Sequence, residues 1–223
     1  MKKFLTFIVI LFTSSVLAHM DHYKNFNKIE MDIFRNGELI GYNYYFFTKK
    51  GDKTIVTNQI KFSVKLLGAT IFQVEGYGEE KYLKDQLISF DSKTLQNDKE
   101  KFVNLVFDKN KFNVKGSSYS GEASINNIVG NWWNHRILQT DSQISPISGS
   151  IKKQVVTFVG KEKIEQYGKV YNVDHFTLKS KDMTLPRDKR LDFNIWYDRE
   201  NARIIKVSYS RMGNWEYKLK NIE

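Results

Sequence analysis

Cysteine is absent from all 223 residues, so no disulfide braces this chain and no lipid can be attached through a cysteine at a processed N-terminus. Its core must hold it alone. After the first turns of the N-terminus, no apolar run approaches the roughly 20 residues that a spanning helix needs, which excludes a helical membrane anchor in the mature chain. Proline- or glycine-rich linkers, internal repeats and low-complexity tracts are missing too, so one domain is expected. There is no nucleophile elbow, no zinc-type histidine spacing and no phosphate loop. His135 with Asp141 and His175 beside Asp174 can be drawn as acid/base pairs, but adjacent strand residues point to opposite faces, and no catalytic residue or cofactor is assigned.

The N-terminus carries a short positive start at Lys2 and Lys3, an apolar run from Phe4 to Phe12, and the small-residue signature Val16-Leu17-Ala18. Together these read as a secretory signal peptide, residues 1–18, cleaved after Ala18. Residues 19–223 are then a single β-rich domain working in a bacterial periplasm or secreted. Removing eighteen residues from 223 leaves 205, and loss of Lys2 and Lys3 lowers the formal net charge from +10 to +8. The remaining basic residues, such as Lys61, Lys65, Lys206, Lys218 and Lys220, recur singly between apolar ones. That is the wet face of strands, not the gathered stripe that nucleic acid requires, so nucleic acid is not an expected partner.

Period-two alternation dominates the chain and predicts antiparallel strands. Asn36-Gly37 predicts a type I′ hairpin pairing Ile33 with Ile40, Met31 with Tyr42 and Ile29 with Tyr44. From Lys53 to Leu66, Val56, Ile60, Phe62, Val64 and Leu66 share one face, with a return at Gly68. The partner run, Thr70 to Tyr82, contains Gly76 and Gly78, which predict a bulge or sharp coiling where the sheet curls. Further strands are expected at 87–90, 101–107, 111–115, 154–159 and 170–178, with turns at Lys109-Asn110 and Gly168. Leu191, Phe193, Ile195 and Tyr197 alternate with polar residues, Ile205, Val207 and Tyr209 return after an Asp198 to Asn201 turn, and Trp215, Tyr217 and Leu219 follow. One stretch breaks this rhythm. Ile125, Ile128, Val129, Trp132, Trp133 and Ile137 fall at helical spacing and predict a helix capped by Ser120 or Ser124, with Pro146 beyond it.

The expected fold is therefore mainly β: a single strongly curled antiparallel sheet, a half-barrel or open barrel, with one short helical lid or plug. A curled sheet encloses an apolar hollow, here lined by Ile40, Tyr42, Tyr44, Ile60, Phe62, Phe193, Ile195 and Val207. Burial is worth roughly 25 cal/mol per Å², so several hundred Å² of wet aromatic surface would forfeit on the order of 10 kcal/mol. A plug, an opposing part of the sheet or a hydrophobic guest must fill it.

The Asn36-Gly37 hairpin followed by Ile40-Gly41, the Trp132 to Asn134 segment, Ile195-Trp196-Tyr197-Asp198, Arg203 to Val207 and Gly213 to Tyr217 resemble uncharacterised bacterial periplasmic families of unknown function. Those families are similar in layout to lipoprotein-carrier half-barrels, in which a curled sheet holds a hydrophobic cavity under helices. The resemblance implies a binding or scaffold module and carries over no catalytic residue. A single lid helix departs from the carrier pattern.

Trp132, Trp133 and His135 form the densest aromatic and polar cluster, either mouth of a pocket or core anchor; with Tyr42, Tyr44, Phe62, Phe193 and Trp196 they are the candidate ligand-binding residues. Trp196 lies on a face otherwise polar, covered by a second layer or exposed for a partner. The expected occupant is a small hydrophobic molecule or lipid; the alternative is a structural envelope protein with a plugged cavity that docks another protein through Trp196. A mature N-terminus at His19 would place an amino group and an imidazole together, a copper-chelating pair to which His22 or Met20 could add a ligand, but no third ligand of a stable site is identifiable and no metal site is assigned. Lysines on the solvent face and the ending Asn221-Ile222-Glu223 do not fit the apolar outer band of an outer-membrane barrel.

Overall fold

The computed structural model describes Tyr23 and residues 25–223. The expected signal peptide, residues 1–18, and the His19, Met20 and His22 cluster lie outside the described residues.

The alternation resolves into fifteen strands: β1 (Lys28–Arg35), β2 (Glu38–Lys50), β3 (Lys53–Leu66), β4 (Ala69–Leu83), β5 (Gln86–Gln96), β6 (Lys99–Asp108), β7 (Lys111–Gly116) and β8 (Ser120–Ser124). They continue as β9 (Ile128–Val129), β10 (Ser142–Ile144), β11 (Ile151–Gln166), β12 (Lys169–Ser180), β13 (Asp192–Asp198), β14 (Arg203–Ser210) and β15 (Asn214–Ile222). All belong to one sheet in the order β8-β7-β6-β5-β4-β3-β2-β1-β15-β14-β13-β12-β11-β10-β9. The first strand and the last pair at its centre, and two meandering arms grow outward from that pair. Neighbours are antiparallel except β9 with β10. The ladder is open: β8 and β9 are its two edges. The arms nevertheless meet through the loop before β11, where Ser118 N donates to the Ser148 carbonyl at 2.9 Å and Ser92 Oγ to the Pro146 carbonyl at 2.6 Å.

Tight turns fall where the sequence places them. Asn36 and Gly37 have φ of 51° and 83°, the pair of positive values that a type I′ turn requires, and Tyr167 with Gly168 repeats this between β11 and β12. Asp198 Oδ1 accepts from the backbone N–H of Glu200 and Asn201, opening the β13–β14 turn as its side chain is suited to do.

The first hairpin departs from the expected register. Arg35 pairs with Glu38 and Phe34 with Leu39, but a bulge leaves Ile40 unpaired, so Ile33 faces Gly41, Met31 faces Asn43 and Ile29 faces Tyr45. One extra residue turns every later side chain of β2 over. Asn43, Tyr45 and Phe47 therefore enter the interior, while Tyr42 and Tyr44 stack at 4.4 Å on the opposite face, beside Glu30 and Asp32. Gly41 explains why the slip is favoured. A Cβ there would lie 2.1 Å from the Lys61 carbonyl oxygen, so only glycine lets β2 and β3 approach closely enough to coil the sheet at this point.

Gly76 and Gly78 lie on the inner face of β4, but the ladder runs through them without a bulge; the irregularities fall at Val64/Lys65 and Lys81/Tyr82. Their bare backbone makes room for inward-leaning Ile60, Thr94 and Phe90 side chains.

The segment read as a helix is not one. Among the described residues the helical elements are short 3₁₀ turns, and residues 125–138 form a turn, the short β9, a second turn and the 3₁₀ turn His135–Leu138. Apolar periodicity alone cannot separate a helix from an irregular strand inserted between two packed layers. Asn127, Asn131 and Asn134 decide the matter, since their buried side chains bond to backbone or core partners in place of a helical ladder: Asn127 Nδ2 to the Ser124 carbonyl, and Asn134 Oδ1 from the Arg136 N–H. Gly130 is pressed against Gln143, whose Oε1 would lie 1.9 Å from any Cβ. The plug exists, but as an extended segment across the concave face.

Candidate functional site

Trp133 anchors the plug. It is fully buried and meets Phe47 of β2 and Tyr82 of β4 edge-on, with ring centroids 5.5 and 5.9 Å away. Its indole N–H donates to Glu80 Oε1 at 2.8 Å, Asn131 Nδ2 donates to the same oxygen at 2.6 Å, and Tyr82 O–H donates to Glu80 Oε2 at 2.5 Å. Burial pushes the Glu80 carboxyl upward against the opposing pull of these three donors. His135 is buried nearby, its ring bonded to Tyr23 O–H at 2.8 Å and stacked on Tyr197. Both residues belong to the core and stand away from the open space beside them.

Trp132 turns the other way. Half-buried, it packs edge-on against Phe193 of β13 at 5.0 Å and near Tyr217 of β15 at 6.2 Å, and its backbone N–H donates to Tyr45 O–H at 3.1 Å. Beyond it opens a cleft of about 1240 Å³ between the two arms. One wall is aromatic and continuous: Trp132, Phe193, Tyr209, Trp215, Phe62 and Phe72 touch in succession at 5.0 to 5.9 Å. Phe62 on β3 reaches Trp215 on β15 because the sheet coils sharply beside Gly41. Tyr209, held neutral by burial, has its hydroxyl pushed up to about 12.

The floor is polar, which alternation alone does not reveal. Asn58 Nδ2 donates to Asn43 Oδ1 at 2.6 Å and Asn43 Nδ2 to Tyr45 O–H at 2.8 Å, and this chain reaches the plug through Trp132 N. Asn43 and Glu80 could be found in sequence only through parity, as polar residues sharing a strand face with Tyr45 and Tyr82. Cations from four stretches of chain also line the cleft: Arg35, Lys152, the run Arg187, Lys189 and Arg190, and Arg211.

Of the eight expected binding residues, Trp132, Phe62 and Phe193 line this cleft. Trp133 and His135 are core anchors. Tyr42 and Tyr44 are carried off by the register slip. Trp196 lies on the outer face, stacked on His175 at 4.6 Å, with its indole N–H donating to Glu162 Oε2 at 2.8 Å and Lys206 Nζ 4.8 Å above the ring. That donor, with the His175 ring, holds the Glu162 carboxyl below its usual range despite the opposing effect of burial. Ile195 and Val207, expected in the lining, are completely buried beneath it. Asp174 pairs with Arg199 while His175 faces Glu162 and Asn194, so the two adjacent residues do serve opposite faces. No group of three or more potential metal ligands occurs among the described residues.

The pattern of a family described as a domain of unknown function, DUF6134, matches residues 31–220. No curated protein matches the chain. Among solved structures it is similar to a β-barrel-like protein of the domain of unknown function DUF1849 from Brucella abortus, at 11% identity and TM-score 0.60, covering 88% of this chain and 96% of that one. That likeness concerns the fold alone. A DUF1329 family protein from Desulfovibrio piger ATCC 29098 aligns over 92% of this chain and 88% of its own at 12% identity, but its TM-score of 0.24 carries no argument.

Proposed function

This chain belongs to the DUF6134 family, and on that footing we propose that it is a non-enzymatic binding module that holds a hydrophobic small molecule or lipid in the cleft between its arms, in the periplasm or outside the cell. The observation that carries this reading is the aromatic wall from Trp132 to Phe72 facing an open space of about 1240 Å³. That volume exceeds the roughly 300–1,000 Å³ of ordinary small-molecule pockets. Phe62 and Trp215 are already buried, but Trp132, Phe193, Tyr209 and Phe72 are only partly so, and a guest that completes their burial gains a share of the about 1.5–3 kcal/mol that each such side chain is worth. The compartment rests on the leader at residues 1–18. The plugged, structural alternative is disfavoured because the plug fills only the Glu80 side of the hollow, and because Trp196 is engaged by His175 and Glu162.

The test is titration of the mature protein with the neutral fluorophore N-phenyl-1-naphthylamine. Saturable binding is expected, weakened about tenfold or more by Trp132→Ala with the thermal transition kept. Absence of saturable binding to the folded wild type overturns the proposal.

A further inference from the structure

Eight cationic side chains line the cleft against two acidic ones, Asp188 and Asp192. Asp192 is already engaged by Lys179 at 3.8 Å. Four of the remaining cations are held by backbone carbonyls. Arg35 Nε donates to the Met212 carbonyl at 3.1 Å, Lys152 Nζ to that of Lys189 at 3.1 Å, Arg211 Nη2 to that of Arg190 at 2.9 Å, and Arg190 Nε to that of Leu185 at 2.5 Å. Among the described residues, none of Lys152, Lys189, Arg190 and Arg211 forms an ion pair with a carboxylate. These carbonyl bonds fix the cations in place without neutralising them.

The charged lip lies at the ends of the strands that carry the aromatic wall. Arg211 follows Tyr209 by two residues, and its carbonyl accepts the Trp215 indole N–H at 2.8 Å; Arg190 precedes Phe193 by three. A single guest therefore meets both surfaces. Resting on the binding role above, we propose that the natural guest is an anionic amphiphile, an acyl chain lying along the Trp132, Phe193 and Trp215 wall with its acidic headgroup at the Lys152, Lys189 and Arg211 lip.

Charge complementarity selects this occupant. Like charges crowded at a partly desolvated site repel one another, and Lys152 shows the effect: burial, then Arg211 and Lys189, depress its ammonium, with Asp188 a lesser opposing influence. One carboxylate or phosphate bound there relieves both repulsions, and Arg211 offers it a planar donor fork. A neutral lipid would leave the repulsion in place. An inorganic anion would leave the aromatic wall wet. Exposed Met183 and Met212, 57% and 86% accessible, supply flexible apolar surface at the same mouth where a chain would enter.

Competition of cis-parinaric acid and its methyl ester against N-phenyl-1-naphthylamine at pH 8 tests this, because the two share a tail and differ only in the charged head. The acid is expected to bind at least tenfold tighter than the ester. Lys152→Gln with Arg211→Gln should reduce that preference to about threefold or less while leaving the ester's affinity unchanged; Lys61→Gln, on the outer face, is the charge control and should leave the preference intact. Equal binding of acid and ester, or a preference untouched by the double variant and by Arg187→Gln with Lys189→Gln, overturns the proposal while the cleft keeps its role. Failure of the naphthylamine itself to bind removes both.

Discussion

Replacing Glu80 with alanine is the sharpest test of how the plug is held. The carboxylate is 2% exposed and accepts from Asn131, Trp133 and Tyr82, tying the extended segment to the inner face of β4. Truncation leaves three buried donors unpartnered at roughly 1–3 kcal/mol each. It also removes the cost of keeping a carboxyl desolvated, several kcal/mol, and lets water reach some of the donors. The net loss should be about 2–4 kcal/mol, a fall in Tm of about 5–15 °C for a domain of this size. Urea unfolding followed by tryptophan fluorescence measures it, with an unchanged m-value confirming that native and unfolded states are otherwise alike. Because Trp132 is the neighbour of Trp133, E80A should weaken naphthylamine binding as well. A stability change under about 0.5 kcal/mol would refute the reasoning. Substitution by glutamine separates hydrogen bonding from charge. Burial raises the folded carboxyl above its unfolded value of 4.5, so the folded state keeps a proton that the unfolded chain has released. Glu80 therefore stabilises fully below pH 4.5, and that contribution is lost as pH rises through the folded value. E80Q does not titrate. Its stability relative to wild type should rise with pH across that window, and an unchanged difference from pH 4 to pH 8 counts against a raised carboxyl.

Gly41→Ala forces a methyl to 2.1 Å from the Lys61 carbonyl and should cost roughly 3 kcal/mol or more, read by thermal denaturation; a loss below about 1 kcal/mol would mean that β2 and β3 part without penalty. Tyr42→Ser with Tyr44→Ser should leave naphthylamine affinity within about twofold, since both rings lie on the outer face, whereas Tyr45→Phe, which removes the hydroxyl bonded to Trp132 N and Asn43, should perturb it; the reverse pattern would restore the unbulged hairpin. Trp196→Ala should likewise spare binding, and an effect comparable to that of Trp132→Ala would place the guest elsewhere.

Strands, turns and the single-sheet architecture were legible because each is a local matter: alternation over a dozen residues, Asn-Gly and Tyr-Gly pairs with positive φ, and an aspartate opening a turn. The inner face of β3 was read correctly from Val56 to Val64 for the same reason, since its parity is set within one strand, while Leu66 at the strand end is exposed. The β1–β2 register was not, although the turn was right. Its bulge at Ile40 is driven by contact between Gly41 and Phe62 on β3, about twenty residues away. Trp132 to Ile137 misled because a segment packed on both sides buries residues at any spacing. The asparagines that hold it take partners such as Glu80, some fifty positions distant.

Residue order therefore settles what each short stretch prefers, from the alternating strands to the turns between them, and which side chains are candidates for a hollow. It leaves open which candidates share one wall. Phe62, Phe193, Trp132 and Trp215 become neighbours only when two arms, grown from the pairing of the first and last strands, curl toward each other. The basic lip is assembled in the same way, from Arg35, Lys152, Arg190 and Arg211 on separate stretches of chain. Side-chain periodicity is encoded within a strand, while sheet curvature and cross-arm contact are sums over the whole ribbon, and a one-residue bulge is enough to exchange the faces of a strand.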